Sequence, residues 1–84
     1  MQQGRYCYIT GRTDTLQLHH IYGGANRKNS DKYGCWCWLT ADIHRVAHDT
    51  NQELLRQLRQ ECQERFEETH TRDEFRRIFG KSYL

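Results

Sequence analysis

Four of the five histidines in this chain fall into two close pairs, His19 with His20 and His44 with His48. On a helix, residues four apart lie on one face, so His44 and His48 can bind one ion together. On a strand, adjacent residues point to opposite faces, so His19 and His20 would meet different surroundings. Any single histidine is ordinarily solvated or hydrogen-bonded, but imidazole also binds transition metals and exchanges protons near neutral pH. The two pairs predict a shared metal site, with one histidine left for another task.

Two strands are expected to position the first pair. Alternating apolar and polar residues over Thr15–His20 predict a strand, and Cys35–Leu39 predicts a second strand antiparallel to it. If the two leucines of the first strand face the core, His20 shares their face and His19 takes the opposite one. The sequence alone leaves that assignment open, because a bulge at the strand end would change it.

Three helices are predicted after the second strand. Thr40 is a suitable N-cap for the helix that carries the second histidine pair. Thr50–Glu53 has capping-box spacing and begins an amphipathic helix, and Thr71–Glu74 is a second capping box before a short helix that Gly80 ends. The last two helices are expected to be packing elements.

The segment 22–34, between the predicted strands, is rich in glycine and asparagine and is expected to be a loop. Loops of this length are uncommon in short chains and are usually functional or disordered. Its Arg27, Lys28 and Lys32 are suited to phosphate contacts, and a solvated connector is the alternative interpretation.

Aromatic residues occur in two further segments. The run Arg5–Ile9 is typical of an extended arm or an edge strand. Trp36 and Trp38 are expected to be packing residues rather than base-stacking ones, because no further aromatic platform accompanies them in the sequence.

The chain has 84 residues, a formal net charge of +2, 36% hydrophobic residues and 29% charged residues. So short a chain builds a thin core, and a bound metal would help it fold. No apolar run is long enough to cross a bilayer, and the first residues lack a signal-peptide core. The spacing of the four cysteines argues against a disulfide framework. We therefore expect an intracellular protein with no membrane association.

The segments His19-His20-Ile21 and His44-x-x-x-His48, together with the intervening loop and strand, resemble the HNH endonucleases. Their ββα-metal core is a β-hairpin folded against a helix with one divalent cation between them. The segments 23–34 and 75–84 are similar to small phage or prophage HNH-like proteins. The resemblance covers residues 5–84. It implies an α+β fold in which 1–84 is a single nuclease domain, with a ββα-metal core over about 5–49, a long loop in the hairpin, and two additional C-terminal helices in about 50–84.

The resemblance also implies chemistry. His20 matches the general base that activates water, while His19, His44 and His48 match the metal-binding positions. Three imidazoles favour zinc, nickel, cobalt or manganese over magnesium. The implied activity is metal-dependent hydrolysis of DNA phosphodiester bonds by a monomer or homodimer, in the cytoplasm of a bacterial or phage-infected host cell. The cations expected to contact nucleic acid are Arg5, Arg27, Lys28, Lys32 and Arg45.

The sequence departs from the family at two sets of positions. The central asparagine of the family falls at or near Cys35, whose thiol cannot make the hydrogen bonds of an amide, so Asn26 or Asn29 is expected to brace the loop instead. A structural zinc site found in many relatives would fall on Cys7, Thr10, Thr40 and Ile43, where only Cys7 is a ligand. These departures leave two other functions open, a catalytically degenerate DNA-binding or phage accessory protein and a structural interaction module that uses the C-terminal helices.

Overall fold

The computed structural model describes residues 2–49 and 51–84 and shows a mixed α+β fold. In chain order, its elements are β1 (Leu16–His20), a 3-10 turn (Gly24–Asn26), α1 (Arg27–Lys32), β2 (Trp36–Thr40), α2 (Ala41–Asp49), α3 (Gln52–Phe66) and α4 (Arg72–Phe79). The two strands form an antiparallel sheet. No helix within these described ranges combines the length and the apolar character needed to cross a membrane.

The antiparallel pairing of the two predicted strands is confirmed, with His19 opposite Cys37 and His20 opposite Trp36. The assignment of faces that the sequence left open is decided by burial, because Leu18 is 38% exposed whereas His19, on the opposite face, is only 4% exposed. Cys37 lies on the same face as His19 and is fully buried. The buried face of the sheet is therefore the one that carries His19, and α2 packs against both strands there.

The segment between the strands is not an irregular loop, since it contains a 3-10 turn and α1. The hydroxyl of Ser30 accepts a hydrogen bond from the Tyr22 amide and donates one to the Tyr22 carbonyl, so α1 is bonded directly to the end of β1. The helix ends in a Schellman motif, in which Gly34 has a φ of 69° and the Cys35 amide donates to the Ser30 carbonyl. Tertiary contacts and a terminating glycine thus form a helix that composition alone did not predict.

The arm Arg5–Ile9 consists of bends and turns rather than a strand. It nevertheless runs beside the outer edge of β2. The Tyr8 amide donates to the Trp38 carbonyl at 2.8 Å, and the side-chain oxygen of Gln2 accepts from the Trp38 amide at 2.8 Å. These bonds occupy backbone groups of β2 that an edge strand would leave unpaired.

The C-terminal helices follow their predicted signals closely. The capping box Thr71–Glu74 is confirmed, and Gly80, with a φ of 95°, caps the end of α4 as expected. At the start of α3 the N-cap is Asn51, whose side chain accepts a hydrogen bond from the Leu54 amide. The capping box predicted from Thr50 includes a residue outside the described ranges.

The core joins the sheet to the C-terminal helices. Tyr22, two residues after β1, is 2% exposed, and its ring contacts the rings of Phe75, Phe79 and Tyr83. Its hydroxyl donates to the Arg59 carbonyl at 2.6 Å. All four cysteines are buried and carry free thiols. The buried apolar cluster comprises Cys7, Ile21, Tyr22, Cys35, Cys37, Leu39, Leu58, Cys62, Phe66, Phe75 and Phe79.

Candidate metal centre

Three of the predicted site residues meet between β1 and α2. His19 projects from the strand, and His44 and His48 project from successive turns of the helix. One ligand atom from each residue lies within 4.8 Å of the other two. The ring centroids of His19 are 5.3 Å from those of both His44 and His48, which are themselves 4.8 Å apart. The three rings converge because His19 lies on the side of the sheet that α2 covers and because His44 and His48 are spaced i, i+4 on α2.

The electrostatics of this triad favour neutral imidazoles. Burial, and after it the positive charge of His44 and His48, lower the pKa of His19 to about 4. The pKa of His44 is also lowered, first by burial and then by His48. A neutral imidazole keeps the lone pair that a metal ion needs. His19 and His44 are therefore suited to coordinate an ion at pH 7.

Gln17 orients one of the three rings. Its side-chain oxygen lies 2.8 Å from Nδ1 of His44. An amide oxygen only accepts hydrogen bonds, so Nδ1 carries the proton and Nε2 is the nitrogen left for an ion. This role of Gln17 was not predicted from the sequence, although Gln17 lies two positions before His19 and so shares its face of the strand.

The donor set fits a transition-metal ion. Nitrogen ligands suit zinc and its neighbours better than magnesium, and three protein ligands leave a coordination position open, as in catalytic zinc sites. Zn–N bonds of about 2.0–2.1 Å would set tetrahedral ligand nitrogens roughly 3.4 Å apart. The triad would have to close by about 1 Å to reach this spacing, which small side-chain rotations can supply.

His20 points away from the triad, to the other face of β1. Its Nε2 lies 2.7 Å from Oδ1 of Asp31, which α1 supplies. A carboxylate accepts, so Nε2 is the protonated nitrogen, and Nδ1 is the atom able to accept another proton. The His20 side chain is 14% exposed and that of Asp31 is 60% exposed, so the pair is open to solvent on the Asp31 side. Nothing in the sequence pairs Asp31 with His20, because the contact depends on α1 folding back onto β1.

An open groove of about 290 Å³ brings His20 and the triad together at the free edge of β1. We call it the histidine groove. At this edge β1 has no partner among the described strands, so residues from both faces of β1 are accessible in the groove. The lining residues are Leu18, His19, His20, Gly23, Gly24, Arg27, His44 and His48.

Of the cations predicted to contact nucleic acid, Arg27 lines the histidine groove. Lys28 and Lys32 are exposed on α1 beside it, with the Lys32 ammonium 5.4 Å from the Tyr33 ring centroid. The Arg5 guanidinium lies 4.8 Å from the Trp38 ring centroid. Arg45 lines a different pocket, of about 340 Å³, together with Arg12, Asp14, Thr15, Ala41 and Asp42.

The structure also shows where the residues that depart from the HNH pattern lie. Cys35 is 2% exposed and belongs to the buried core, so its thiol does not line the histidine groove. Asn26 and Asn29 brace the segment as expected, because their side-chain amides donate to the carbonyls of Phe79 and Ile78, each at 3.0 Å.

Cys7 is the one residue with a metal-binding side chain at the positions where many HNH relatives hold a structural zinc. Its neighbours are hydroxyl groups. Its Sγ lies 3.9 Å from Oγ1 of Thr40. Burial alone would raise its pKa, but hydrogen bonds from Thr10 and Thr40 outweigh burial and lower the pKa to about 7. The thiol is thus held by hydroxyl and amide groups instead of by further thiolates.

Comparisons of the chain with models of protein families, with curated proteins and with solved structures found no match. The chemistry of the histidine groove is therefore the basis on which a function is inferred.

Proposed function

We propose that this protein is an HNH-type, metal-dependent endonuclease that hydrolyses DNA phosphodiester bonds. The observation that carries the proposal is the histidine groove, where His20 lies beside three imidazoles that could hold one ion. The order of strand, connecting segment, strand and helix, with histidines at the end of the first strand and along the helix, supports a ββα-metal core.

In this proposal His20 is the general base. Asp31 holds the proton on Nε2, so Nδ1 accepts the proton of the attacking water. The adjacent carboxylate would orient the His20 ring and stabilise the imidazolium formed in this step. Asp31 is therefore a positioning residue that acts through His20.

The other groove residues would handle the phosphate. A divalent ion held by His19, His44 and His48 would act as a Lewis acid on the phosphate and leaving-group oxygens. Arg27 lines the same groove, and its guanidinium is suited to two parallel hydrogen bonds with phosphate oxygens. The exposed ammonium groups of Lys28 and Lys32 would bind flanking phosphates.

A second candidate is a DNA-binding accessory protein on the same scaffold without cleavage. It is favoured by Cys35, which is buried in the core where the family has its central asparagine. In that case the metal would be a structural staple, and the groove would bind phosphate without activating water.

The test is a nicking assay on supercoiled plasmid DNA with zinc, nickel, cobalt, manganese or magnesium added to metal-free protein. His20→Ala is expected to lower the rate by roughly 10²–10⁴-fold while metal binding persists, since general-base catalysis contributes about that much. His70→Ala is the matched control, because His70 stacks on Phe66 at a centroid distance of 4.2 Å and does not line the groove. Equal nicking by wild type and His20→Ala would refute the proposed base.

DNA binding and nicking measured together separate the two candidates. Phosphate contacts release counterions, so DNA affinity should fall steeply as salt rises for either one. Salt-sensitive binding without nicking in any of the metals would favour the accessory protein. Absence of both binding and nicking at low salt would exclude both.

A further inference from the structure

The solvent-facing side of the sheet carries both tryptophans of the chain. Cys37 and Leu39 are fully buried on one face of β2, so the alternate residues Trp36 and Trp38 lie on the opposite face, where each is partly exposed. Across the ladder, Trp38 is paired with Leu18, which is 38% exposed. Two indoles and a leucine therefore form an apolar surface that faces away from the core.

This surface leads directly to His20. The register pairs Trp36 with His20, and side chains opposite each other in antiparallel strands have Cβ atoms roughly 4.5–5.5 Å apart. The indole centroids of Trp36 and Trp38 are 6.3 Å apart, and the Arg5 guanidinium lies 4.8 Å from the Trp38 centroid. We call Arg5, Leu18, Trp36 and Trp38 the tryptophan strip.

Cations lie at both ends of the strip. The Arg5 guanidinium lies over the Trp38 ring, and α1 lies beyond His20 at the Trp36 end, with Lys28 and Lys32 exposed on it. Flat aromatic surfaces between cations complement a ligand with flat bases and a negatively charged backbone. A protein partner or a second copy of the chain could pack on the apolar surface, but its binding would not require cations at both ends of the strip.

Although the sequence favours packing roles for Trp36 and Trp38, we propose that the tryptophan strip stacks the unpaired bases of single-stranded DNA beside the phosphate held in the histidine groove. This inference rests on the proposed nuclease function and defines its substrate class. The faces of bases in a duplex are covered by their neighbours, whereas those of an unpaired segment are free to stack on indoles. The two indole planes are inclined by 78°, so two consecutive bases stacked on them would be splayed apart.

The chain provides its own probe, because the only two tryptophans both belong to the strip. Metal-free protein titrated with a short oligothymidylate is expected to show saturable quenching of tryptophan fluorescence, with no cleavage to complicate the signal. Affinity for the oligothymidylate should exceed affinity for a duplex of equal length. Trp36→Leu and Trp38→Leu should each weaken binding on the order of tenfold, and Trp36→Phe, which retains a ring, should weaken it less.

A cation pair supplies the matched control. Arg5→Gln should weaken oligothymidylate binding and reduce its salt dependence, whereas Arg77→Gln, on the exposed surface of α4, should leave both unchanged. Circular dichroism of each variant shows whether it is folded, and the conservative Trp36→Phe variant keeps the test available if a leucine variant unfolds.

The outcomes separate this inference from the proposed function. Quenching and single-strand preference without nicking would support the strip and refute the nuclease. Nicking of duplex DNA with no quenching by oligothymidylate would support the nuclease and refute the strip. Self-association of the protein that is abolished by Trp38→Leu, without DNA binding, would also overturn the inference, because the strip would then be an interface between copies.

Discussion

His19 and His20 are adjacent in sequence and differ in nearly every physical property that matters for chemistry. His19 is buried beside two other imidazoles, and its pKa falls to about 4 because burial penalises the imidazolium. His20 faces the other side and bonds to the carboxylate of Asp31 at 2.7 Å. Strand alternation thus separates a ring suited to coordinate an ion from a ring suited to move a proton.

The role of Asp31 is testable through the tautomer of His20. Asp31→Asn removes the negative charge that holds the proton on Nε2 and stabilises the imidazolium, so nicking should slow by roughly 10–100-fold, the range seen when a supporting partner of a site residue is lost. The ¹⁵N shifts of the His20 ring should change from a single Nε2–H tautomer to a mixture. Asp73→Asn, in the exposed first turn of α4, is the control expected to change neither quantity. An unchanged tautomer with an unchanged rate would contradict the assignment.

The buried His19 should make the stability of the metal-free protein depend on pH. Above pH 6.5 the ring is neutral in both states and contributes nothing. Between pH 6.5 and about 4 the unfolded chain binds a proton that the folded protein excludes, so the free energy of unfolding falls with decreasing pH. The total loss approaches about 3 kcal/mol, and His44 adds to it with the same sign.

Urea unfolding of metal-free protein at several pH values measures this effect. The loss should develop mainly between pH 6.5 and 4.5, above the range in which carboxylates such as Glu53 and Glu67 take up protons. His19→Leu, which keeps an apolar side chain at the buried position, should flatten the profile over that window. A wild-type profile that is flat there would show that His19 titrates normally.

At the level of residues, the sequence predicted which side chains meet but not what surrounds them. Strand alternation and helical spacing, which are local rules, predicted that one histidine of the first pair would join His44 and His48, and the resemblance to the HNH endonucleases implied that it is His19. The partners Gln17 and Asp31 did not follow, because a single amide or acid carries no signal of which ring it will face. The exposure of Leu18 was also missed, since a leucine at strand spacing predicts burial unless the covering element is known to lie on the other side.

Among the elements, the short helix α1 contributes to two parts of the site. It supplies Arg27 to the groove and Asp31 to His20, and it is tied to α4 by the side chains of Asn26 and Asn29. A helix of 6 residues is too short to be stable alone, so these ties and the Ser30 bonds to β1 maintain its position.

Removing the ties should uncouple α1 from the site. The double variant Asn26→Ala, Asn29→Ala loses two hydrogen bonds, each worth about 1 kcal/mol, and leaves two α4 carbonyls without these partners. We expect a melting temperature lower by roughly 8–16 °C, since 1 kcal/mol corresponds to about 4–8 °C in a domain of this size. Nicking measured well below the melting temperature should also fall, because Asp31 no longer holds His20.

Asn51→Ala separates the two effects. Asn51 caps α3 through the Leu54 amide, so its loss should lower stability by about 1 kcal/mol without touching α1. Nicking by this variant at a temperature where it is folded should match wild type. If the α1 double variant were destabilised but nicked at the wild-type rate, the positioning role of α1 would be disproved.

The elements that local signals specify were predicted, and those that depend on distant contacts were not. Alternation predicted β1, the apolar segment Cys35–Leu39 was predicted as the second strand, and the capping box Thr71–Glu74 with Gly80 predicted α4 closely. The helix α1 was missed because its stabilising partners lie in β1 and α4, far along the chain. The arm Arg5–Ile9 was expected to be extended because its aromatic and β-branched residues favour strands, yet it pairs with β2 through isolated bonds around a turn.

Over the whole molecule, the C-terminal helices are part of the core beneath the site. Tyr22 follows His20 and Ile21 and is enclosed by rings from α4 and from Tyr83. The core is small, as expected for 84 residues, and the histidine triad lies where β1 meets α2. An ion there would add a link between two elements that are otherwise held by packing and by the hydrogen bond between Gln17 and His44.

Metal binding should therefore stabilise the entire fold. An ion at 100 times its dissociation constant adds about 2.7 kcal/mol when it binds only the folded state, which corresponds to an increase in melting temperature of roughly 10–20 °C. Thermal melts at pH 7 with and without zinc measure this increase. His48→Ala should abolish most of it, and Gln17→Ala, which frees the His44 ring, should leave about half or less because supporting partners contribute roughly 10–100-fold in affinity. His20→Ala should retain the full increase, since His20 lies on the opposite face of β1 from the triad.

An equal increase in wild type and His48→Ala would mean that the ion binds elsewhere, and both the metal centre and the nuclease built on it would then be abandoned.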